Sequence, residues 1–150
     1  MASEMVEFAS GDGSAQGYLA IPDTPNGKAL VVVQEWWGLV DEIKGIADRY
    51  AAAGFYALVP DLYRGETTGQ PDAAQQKLMA MNVAQAEQDL VGAVDYVAER
   101  AGASEVGSTG YCIGGALCLY AATANPKVAA SSRFYYVFPH GKPEWSNIEG

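Results

Sequence analysis

The sequence predicts an α/β fold in which helices flank a mostly parallel sheet. Runs of β-branched and apolar residues alternate along the chain with segments of helical periodicity. The run at 29–34, Ala-Leu-Val-Val-Val-Gln, is apolar almost throughout, as expected for a parallel strand buried on both faces. Segment 106–119 combines a short strand, a glycine-rich turn and a helix of small residues. No linker or repeat interrupts this pattern, so residues 1–150 are predicted to form a single domain.

Turn-forming residues and one amphipathic segment divide the first part of the chain. Gly-Asp-Gly at 11–13 separates two short strands, and a loop rich in Pro, Asp and Asn precedes the buried apolar run. Gly54 ends a segment with amphipathic helical spacing. The predicted elements of this part are strands at 5–8, 15–21 and 29–34, a helix at 41–53 and a strand at 55–59.

The second part alternates helices and strands in the same way. Leu90, Val94 and Val97 share one helical face, and Asn125-Pro126 stops the helix before the last apolar run. The predicted elements here are a helical region at 72–100 that breaks near Asn82, a strand at 106–110, a helix at 114–123, a strand at 128–137 and a final loop. Such alternation is typical of parallel strands connected by helices.

Composition and charge exclude several classes of protein. Hydrophobic residues make up 49% of the chain and charged residues 18%, which is ordinary for a globular protein. The 9 Lys and Arg residues against 18 Asp and Glu residues leave a net charge of −9, which disfavours nucleic acid and anionic membranes as partners. No apolar run has the length of a membrane span and no signal peptide is recognisable, so a cytoplasmic location is expected.

The two cysteines lie on one predicted turn and helix, where Cys112 and Cys118 face different sides. A disulfide between them is therefore not expected, in agreement with a reducing compartment. One histidine without clustered cysteines does not build a zinc site, and the glycine-rich turn lacks the Lys-Ser/Thr ending of a phosphate loop. No metal or other cofactor is predicted.

The turn around Cys112 is the main functional motif. Gly110-Tyr111-Cys112-Ile113-Gly114 joins a strand to a helix in the pattern of a nucleophile elbow, with cysteine in place of serine. We expect the helix N-terminus to favour a thiolate and the amide of Ile113 to point at an oxyanion formed there. The alternative is that Cys112 is simply a small buried side chain in a closely packed helix.

A second cluster follows the buried strand 29–34. Glu35-Trp36-Trp37-Gly38 places a carboxylate and two aromatic rings at the carboxyl end of the strand, where open α/β sheets bind ligands. A carboxylate at the end of a buried strand needs a partner. The tryptophans are either core residues or part of a site for a flat acyl group.

These two motifs and a third one resemble the dienelactone hydrolases (carboxymethylenebutenolidases), the cysteine-nucleophile branch of the α/β-hydrolases. The motifs, in order, are Val-Val-Val-Gln-Glu-Trp-Trp-Gly at 31–38, Val-Pro-Asp-Leu-Tyr at 59–63 and Gly-Tyr-Cys-Ile-Gly-Gly-Ala-Leu at 110–117. The resemblance implies an α/β-hydrolase-like fold and a hydrolase of small esters or lactones that acts through a thioester. It implies that Cys112 is the nucleophile, that Glu35 contacts and activates its thiol, and that the amides of Trp36 and Ile113 form the oxyanion hole.

The resemblance also implies an Asp and a His downstream of the nucleophile, and these have no counterpart in the 150 residues. We therefore expect a truncated fold that lacks the last strands of the family. The one histidine, His140, falls in the predicted final loop. Arg133 in the last predicted strand suits a sheet edge, and because a bare edge seldom stays exposed, a homo-oligomer that covers it is expected.

Three functions follow from these observations. The first is a cysteine-dependent hydrolase whose base is His140, Glu35 or a group of a partner chain. The second is a catalytically incomplete hydrolase that only binds a ligand or another copy of itself. The third is a thiol redox sensor, which is disfavoured because no second cysteine is placed to resolve an oxidised Cys112.

Overall fold

A computed structural model describes residues 1–148, in which six strands form one sheet in the order β1-β2-β4-β3-β5-β6. The strands are β1 (Ala2–Ser10), β2 (Gly13–Ile21), β3 (Ala29–Val33), β4 (Tyr56–Pro60), β5 (Val106–Gly110) and β6 (Val128–Arg133). The helices are α1 (Asp41–Ala52), α2 (Pro71–Met79), α3 (Val83–Ala101), α4 (Ile113–Ala124) and a 3₁₀ turn, Trp145–Asn147. Every helix of the described residues is too short or too polar to cross a bilayer.

The sheet is mixed, and its parallel part positions the candidate site. β1 and β2 form an antiparallel hairpin and β2 pairs antiparallel with β4, whereas β4, β3, β5 and β6 are parallel. Val33, the last residue of β3, pairs with Gly110, the last residue of β5. The residues that follow these two strands, Glu35 and Cys112, therefore emerge at the same edge of the sheet, where parallel sheets bind ligands.

Helices cover both faces of the sheet. Val31 and Val33 pack in the cluster under α3 and α4, Val32 packs in the cluster under α1, and all three side chains are 0% exposed. This double burial explains why β3 is a continuous apolar run rather than an alternating one. The predicted α/β architecture with a mostly parallel central sheet is confirmed.

The predicted elements are present, with two clear errors of length. The first strand, predicted over 5–8, spans Ala2–Ser10, and the last strand is shorter than predicted. The break near Asn82 is confirmed, since the Asn82 side chain accepts a hydrogen bond from the Gln85 amide and caps α3. The prediction of a strand over 128–137 is wrong at its end, because β6 stops at Arg133. The chain then crosses the turn before α4, where the amide of Val137 donates to the Cys112 carbonyl at 3.4 Å.

β6 is the edge of the sheet in the described part of the chain, as the position of Arg133 in the sequence predicts. Five of its six residues are exposed. The guanidinium of Arg133 lies 5.6 Å from the centroid of the Tyr136 ring. Large apolar side chains just beyond the strand are also about half exposed: Phe134, Tyr135, Val137 and Trp145.

Candidate active site

The turn between β5 and α4 has the geometry of a nucleophile elbow. Cys112 has φ 60° and ψ −121°, a conformation that costs a residue with a side chain on the order of 1–3 kcal/mol. A Cβ atom on Gly110 would lie 2.1 Å from the Gly114 carbonyl oxygen, and one on Gly114 would lie 2.4 Å from the Val33 carbonyl oxygen. Both glycines are therefore required by the close approach of α4 to the ends of β3 and β5.

The Cys112 thiol is half-buried, and its pKa is raised above the ordinary value. Burial raises the pKa most, a hydrogen bond from the Ile113 amide lowers it, and the negative charge of Glu35 raises it again. The Ile113 amide at the helix N-terminus thus favours the thiolate, in the expected direction, but burial and Glu35 outweigh it and the net pKa of Cys112 is raised. The resting group at neutral pH is a thiol.

Glu35 lies half-buried just beyond β3. None of the ion pairs in residues 1–148 includes its carboxylate. Its charge raises the pKa of three groups around the elbow, Tyr111, Cys112 and Tyr135, in each case after the larger effect of burial. This carboxylate therefore disfavours a further negative charge on each of these three groups.

The two backbone amides expected to form the oxyanion hole differ in their contacts. The Ile113 amide donates to the Cys112 thiol, whereas the Trp36 amide is the donor of no backbone-to-backbone hydrogen bond among those of the described residues outside regular helices and strands. The Trp36 ring packs against the main core and meets the Trp37 ring edge to face, with centroids 5.2 Å apart. Of the two tryptophans, Trp36 thus serves the core, whereas Trp37 faces the cavity described next.

A cavity of about 530 Å³ opens beside Glu35, between the start of α1 and the loop that precedes α2. Its volume is in the range of small-molecule sites. Trp37, Val40, Ile43 and other apolar groups line it, and its charged lining residues, Glu35 and Glu42, are both acidic. The cavity therefore suits a partly apolar ligand and disfavours an anionic one.

The loop after β4 contributes a residue whose role the sequence does not reveal. The motif Val-Pro-Asp-Leu-Tyr ends at Tyr63, whose hydroxyl is buried and has no hydrogen-bond partner in the described residues. Burial and the negative charge of a Cys112 thiolate raise the pKa of Tyr63 to about 12. Asp61 stabilises the loop, because its carboxylate accepts from the amides of Tyr63 and Gly65 at 3.2 and 2.7 Å.

An ion pair between the exposed Arg64 and the buried Asp89 connects the same loop to α3. Arg64 has φ 51° and donates to Asp89, which is 1% exposed, at 2.7 Å. The same Asp89 oxygen accepts from Ser10 and Gln85 at 2.5 and 3.1 Å. One feature of the sequence indicates that Asp89 is buried and paired: it lies with Ala86, Leu90 and other residues on the face of α3 that packs in the core.

His140, the other proposed base, has contacts away from the thiol. Its Nε2 lies 2.7 Å from the carbonyl oxygen of Leu78, at the end of α2, and its ring meets that of Phe138 edge to face. Cys118 is fully buried and, like Cys112, is a free cysteine. No group of three or more His, Cys, Asp or Glu residues that could hold a metal ion occurs within residues 1–148.

The sequence profile of the dienelactone hydrolase family matches residues 15–148. The chain belongs to the dienelactone hydrolase family. Protein usf of Aquifex pyrophilus is 35% identical over 144 residues, which cover 91% of this chain and 62% of the relative. The carboxymethylenebutenolidase homolog of Rattus norvegicus is 25% identical over 125 residues, which cover 80% of this chain and 51% of the relative.

A solved structure shows the same fold as this dienelactone hydrolase family member. It is a dienelactone hydrolase-like promiscuous phosphotriesterase from metagenomic libraries, with a TM-score of 0.78 and 24% identity. The match covers 93% of this chain and 62% of that one. The chain thus spans less than two thirds of the length of these relatives. The family and the α/β-hydrolase-like fold that the motifs predict are both confirmed.

Proposed function

We propose that this dienelactone hydrolase family member hydrolyses small uncharged esters or lactones, with Cys112 as the nucleophile. The observation that carries the proposal is the elbow, which holds Cys112 at φ 60° with the Ile113 amide beside its sulfur. The position of Glu35 within electrostatic reach of that sulfur supports it. The cavity beside Glu35 is large enough for such a substrate, and Glu35 is the group that connects it to the elbow, since Cys112 itself is not one of the lining residues.

The proposed reaction has two halves. In the first, Glu35 takes the thiol proton, and the Cys112 sulfur attacks the carbonyl carbon of the ester. The amides of Trp36 and Ile113 bind the oxyanion of the tetrahedral intermediate. Its collapse breaks the bond to the alkoxy oxygen, which receives the proton from Glu35 and leaves as an alcohol.

In the second half, water attacks the thioester carbonyl and gives one proton to Glu35. The bond between carbon and sulfur then breaks, the carboxylic acid leaves, and the sulfur recovers the proton as a thiol. We assign the base to Glu35 rather than His140 because Glu35 affects the Cys112 pKa, whereas His140 Nε2 is engaged by the Leu78 carbonyl.

The test is hydrolysis of 4-nitrophenyl acetate by the chain, by Cys112→Ala and by Cys118→Ala. Multiple turnovers are expected for the parent chain and for Cys118→Ala, whose buried thiol lies outside the site. They should be lost in Cys112→Ala. Equal turnover in Cys112→Ala would overturn the assignment of the nucleophile.

The second candidate is an incomplete hydrolase that binds its ligand without turnover. Two observations favour it: the raised pKa of Cys112, which keeps the thiol protonated, and the engagement of His140 at Leu78. In the same assay this candidate predicts at most one nitrophenolate released per chain, since an acylated Cys112 would not be hydrolysed. Continued turnover would exclude it.

We also propose a homo-oligomer in which a second copy covers β6. An exposed strand offers unpaired backbone groups that can pair with the same strand of another copy around a two-fold axis. The exposed Phe134, Tyr135 and Val137 side chains extend this edge with apolar surface. Light scattering after size exclusion should give a dimer, and Ser131→Pro should shift it to monomer; a stable monomer of the parent chain would contradict the proposal.

A further inference from the structure

The loop after β4 and the elbow meet at one residue, Gln34. Gln34 is fully buried at the end of β3, and its side-chain oxygen accepts from the Leu62 amide at 3.0 Å. On the elbow side, a Cβ on Gly114 would lie 2.6 Å from the Gln34 carbonyl oxygen. Tyr63 follows Leu62 directly, so this contact positions Tyr63 next to the elbow.

The Tyr63 ring is held rigidly at that place. A Cβ atom on Gly38 would lie 3.2 Å from ring atom Cδ2, so the ring packs against the backbone of the loop after β3. The Lys77 ammonium lies 5.9 Å from the ring centroid. Because the Tyr63 amide is also bonded to Asp61, the hydroxyl has little freedom to find a partner elsewhere.

The Tyr63 hydroxyl is nevertheless unpaired. It is one of three buried side-chain polar atoms without a hydrogen-bond partner in residues 1–148, and a second one, Gln34 Nε2, belongs to the same junction. Buried polar groups are normally hydrogen-bonded, and an unpaired one in a fold deserves a functional explanation. The two unpaired donors lie just beyond β3 and β4, and a bound group with acceptor atoms would satisfy them.

The charge state of the hydroxyl specifies what kind of group it can bind. Burial, followed by the negative charge that Cys112 carries once it ionises, raises the pKa of Tyr63 to about 12, so the phenol keeps its proton at neutral pH and can donate it in a hydrogen bond. It does not bond to the Cys112 sulfur itself. The charge of an ionised Cys112 affects the Tyr63 pKa, so the hydroxyl and the sulfur lie within electrostatic reach of each other. An ester held for attack by that sulfur would bring its oxygen acceptors into the same region.

We propose that the hydroxyl of Tyr63 contacts the substrate and donates a hydrogen bond to an oxygen atom of the ester or lactone bound at Cys112. This inference rests on the proposed function and adds a specificity-determining residue to it. Substrates without an oxygen acceptor in that position leave the hydroxyl unpaired and bind more weakly.

The test compares the parent chain with Tyr63→Phe, which removes the unpaired hydroxyl and keeps the ring. Tyr18→Phe is the matched control, since its hydroxyl already donates to Asp48 at 2.8 Å. The first readout is the rate of the nitrophenolate burst from 4-nitrophenyl acetate, which reports acylation of Cys112 even when turnover fails. The second is the concentration of δ-valerolactone that protects Cys112 from a disulfide reagent.

In Tyr63→Phe we expect an acylation rate about tenfold lower and a protecting lactone concentration about tenfold higher, the effect of losing one hydrogen bond to a bound ligand. The reaction with the disulfide reagent alone should be unchanged, which separates a lost substrate contact from a damaged thiol site. Tyr18→Phe should match the parent chain in all three measurements. Tyr63→Leu is a second hydroxyl-free variant if Tyr63→Phe does not fold.

The outcomes distinguish this proposal from the proposed function. If the parent chain is not acylated but is protected by the lactone, and this protection weakens in Tyr63→Phe, the Tyr63 contact is supported and the hydrolase is overturned. Acylation and protection at parent levels in Tyr63→Phe overturn the Tyr63 contact and leave the hydrolase standing. If Tyr63→Phe weakens acylation, lactone protection and the reaction with the disulfide reagent to the same extent, Tyr63 has a structural role instead. If the parent chain is neither acylated nor protected, the Tyr63 contact and the hydrolase are both overturned.

Discussion

At the scale of single residues, the reactivity of Cys112 is set by three competing neighbours. The surrounding protein and the Glu35 carboxylate disfavour the thiolate, and the Ile113 amide favours it. Burial is the largest effect, so the thiol stays neutral although it stands at the start of a helix. A neutral thiol is less reactive toward oxidants than a thiolate, which argues against the redox-sensor function considered above.

Glu35→Gln should lower the pKa of Cys112, because it removes a negative charge that destabilises the thiolate. In a Cys118→Ala background, the rate of alkylation by iodoacetamide rises with pH as the thiol ionises. We expect this profile to move to lower pH in Glu35→Gln, with faster alkylation at pH 7.5. Glu99→Gln, an exposed change on α3, is the control and should leave the profile in place. A profile that moves to higher pH would contradict the assigned electrostatic role of Glu35.

At the scale of elements, the site depends on how closely α4 approaches the sheet. The backbone of α4 lies so near the ends of β3 and β5 that only glycine is accommodated at 110 and 114. The motif G-x-C-x-G therefore reflects a packing requirement in addition to the catalytic role that we propose for Cys112. The sequence predicts this element well because the steric constraint is local.

Gly114→Ala tests this packing against a matched change in another helix. Its Cβ would lie 2.4 Å from the Val33 carbonyl oxygen, so α4 must shift, at a cost of about 1–3 kcal/mol in the free energy of unfolding. Gly45→Ala in α1 meets nothing within 4 Å and should stabilise the protein by about 0.5–1 kcal/mol, since alanine favours helix. Urea denaturation measures both. Equal stability of the two variants would show that α4 is not tightly packed.

At the scale of the whole molecule, the excess of negative charge bears on what reaches the site. The net charge of −9 is accompanied by two acidic residues, Glu35 and Glu42, in the lining of the cavity. Like charges repel within the cleft and over distances of about 10 Å at moderate salt. Anionic reagents should therefore reach Cys112 more slowly than neutral ones of the same size.

Iodoacetamide and iodoacetate form the pair of reagents that measures this effect. We expect the ratio of the alkylation rates of Cys112 by iodoacetamide and by iodoacetate to be higher in the folded protein than in the urea-unfolded chain. Added salt should lower this ratio, because it screens the negative charges. Glu42→Gln should lower it as well, whereas Glu105→Gln, exposed and outside the cavity lining, should not. A ratio no higher than in the unfolded chain would show that the cavity does not discriminate by charge.

The amino-acid sequence was enough to predict the alternation of strands and helices, the buried central strand, the elbow and the positions of Glu35 and Cys112 at one sheet edge. These features follow from periodicity, turn chemistry and steric rules that act over a few neighbouring residues. Tertiary structure alone decided the net pKa shift of Cys112, the end of β6 at Arg133 and the burial of the Tyr63 hydroxyl. These properties depend on solvent exclusion and on contacts between segments distant in the sequence, which no local pattern encodes.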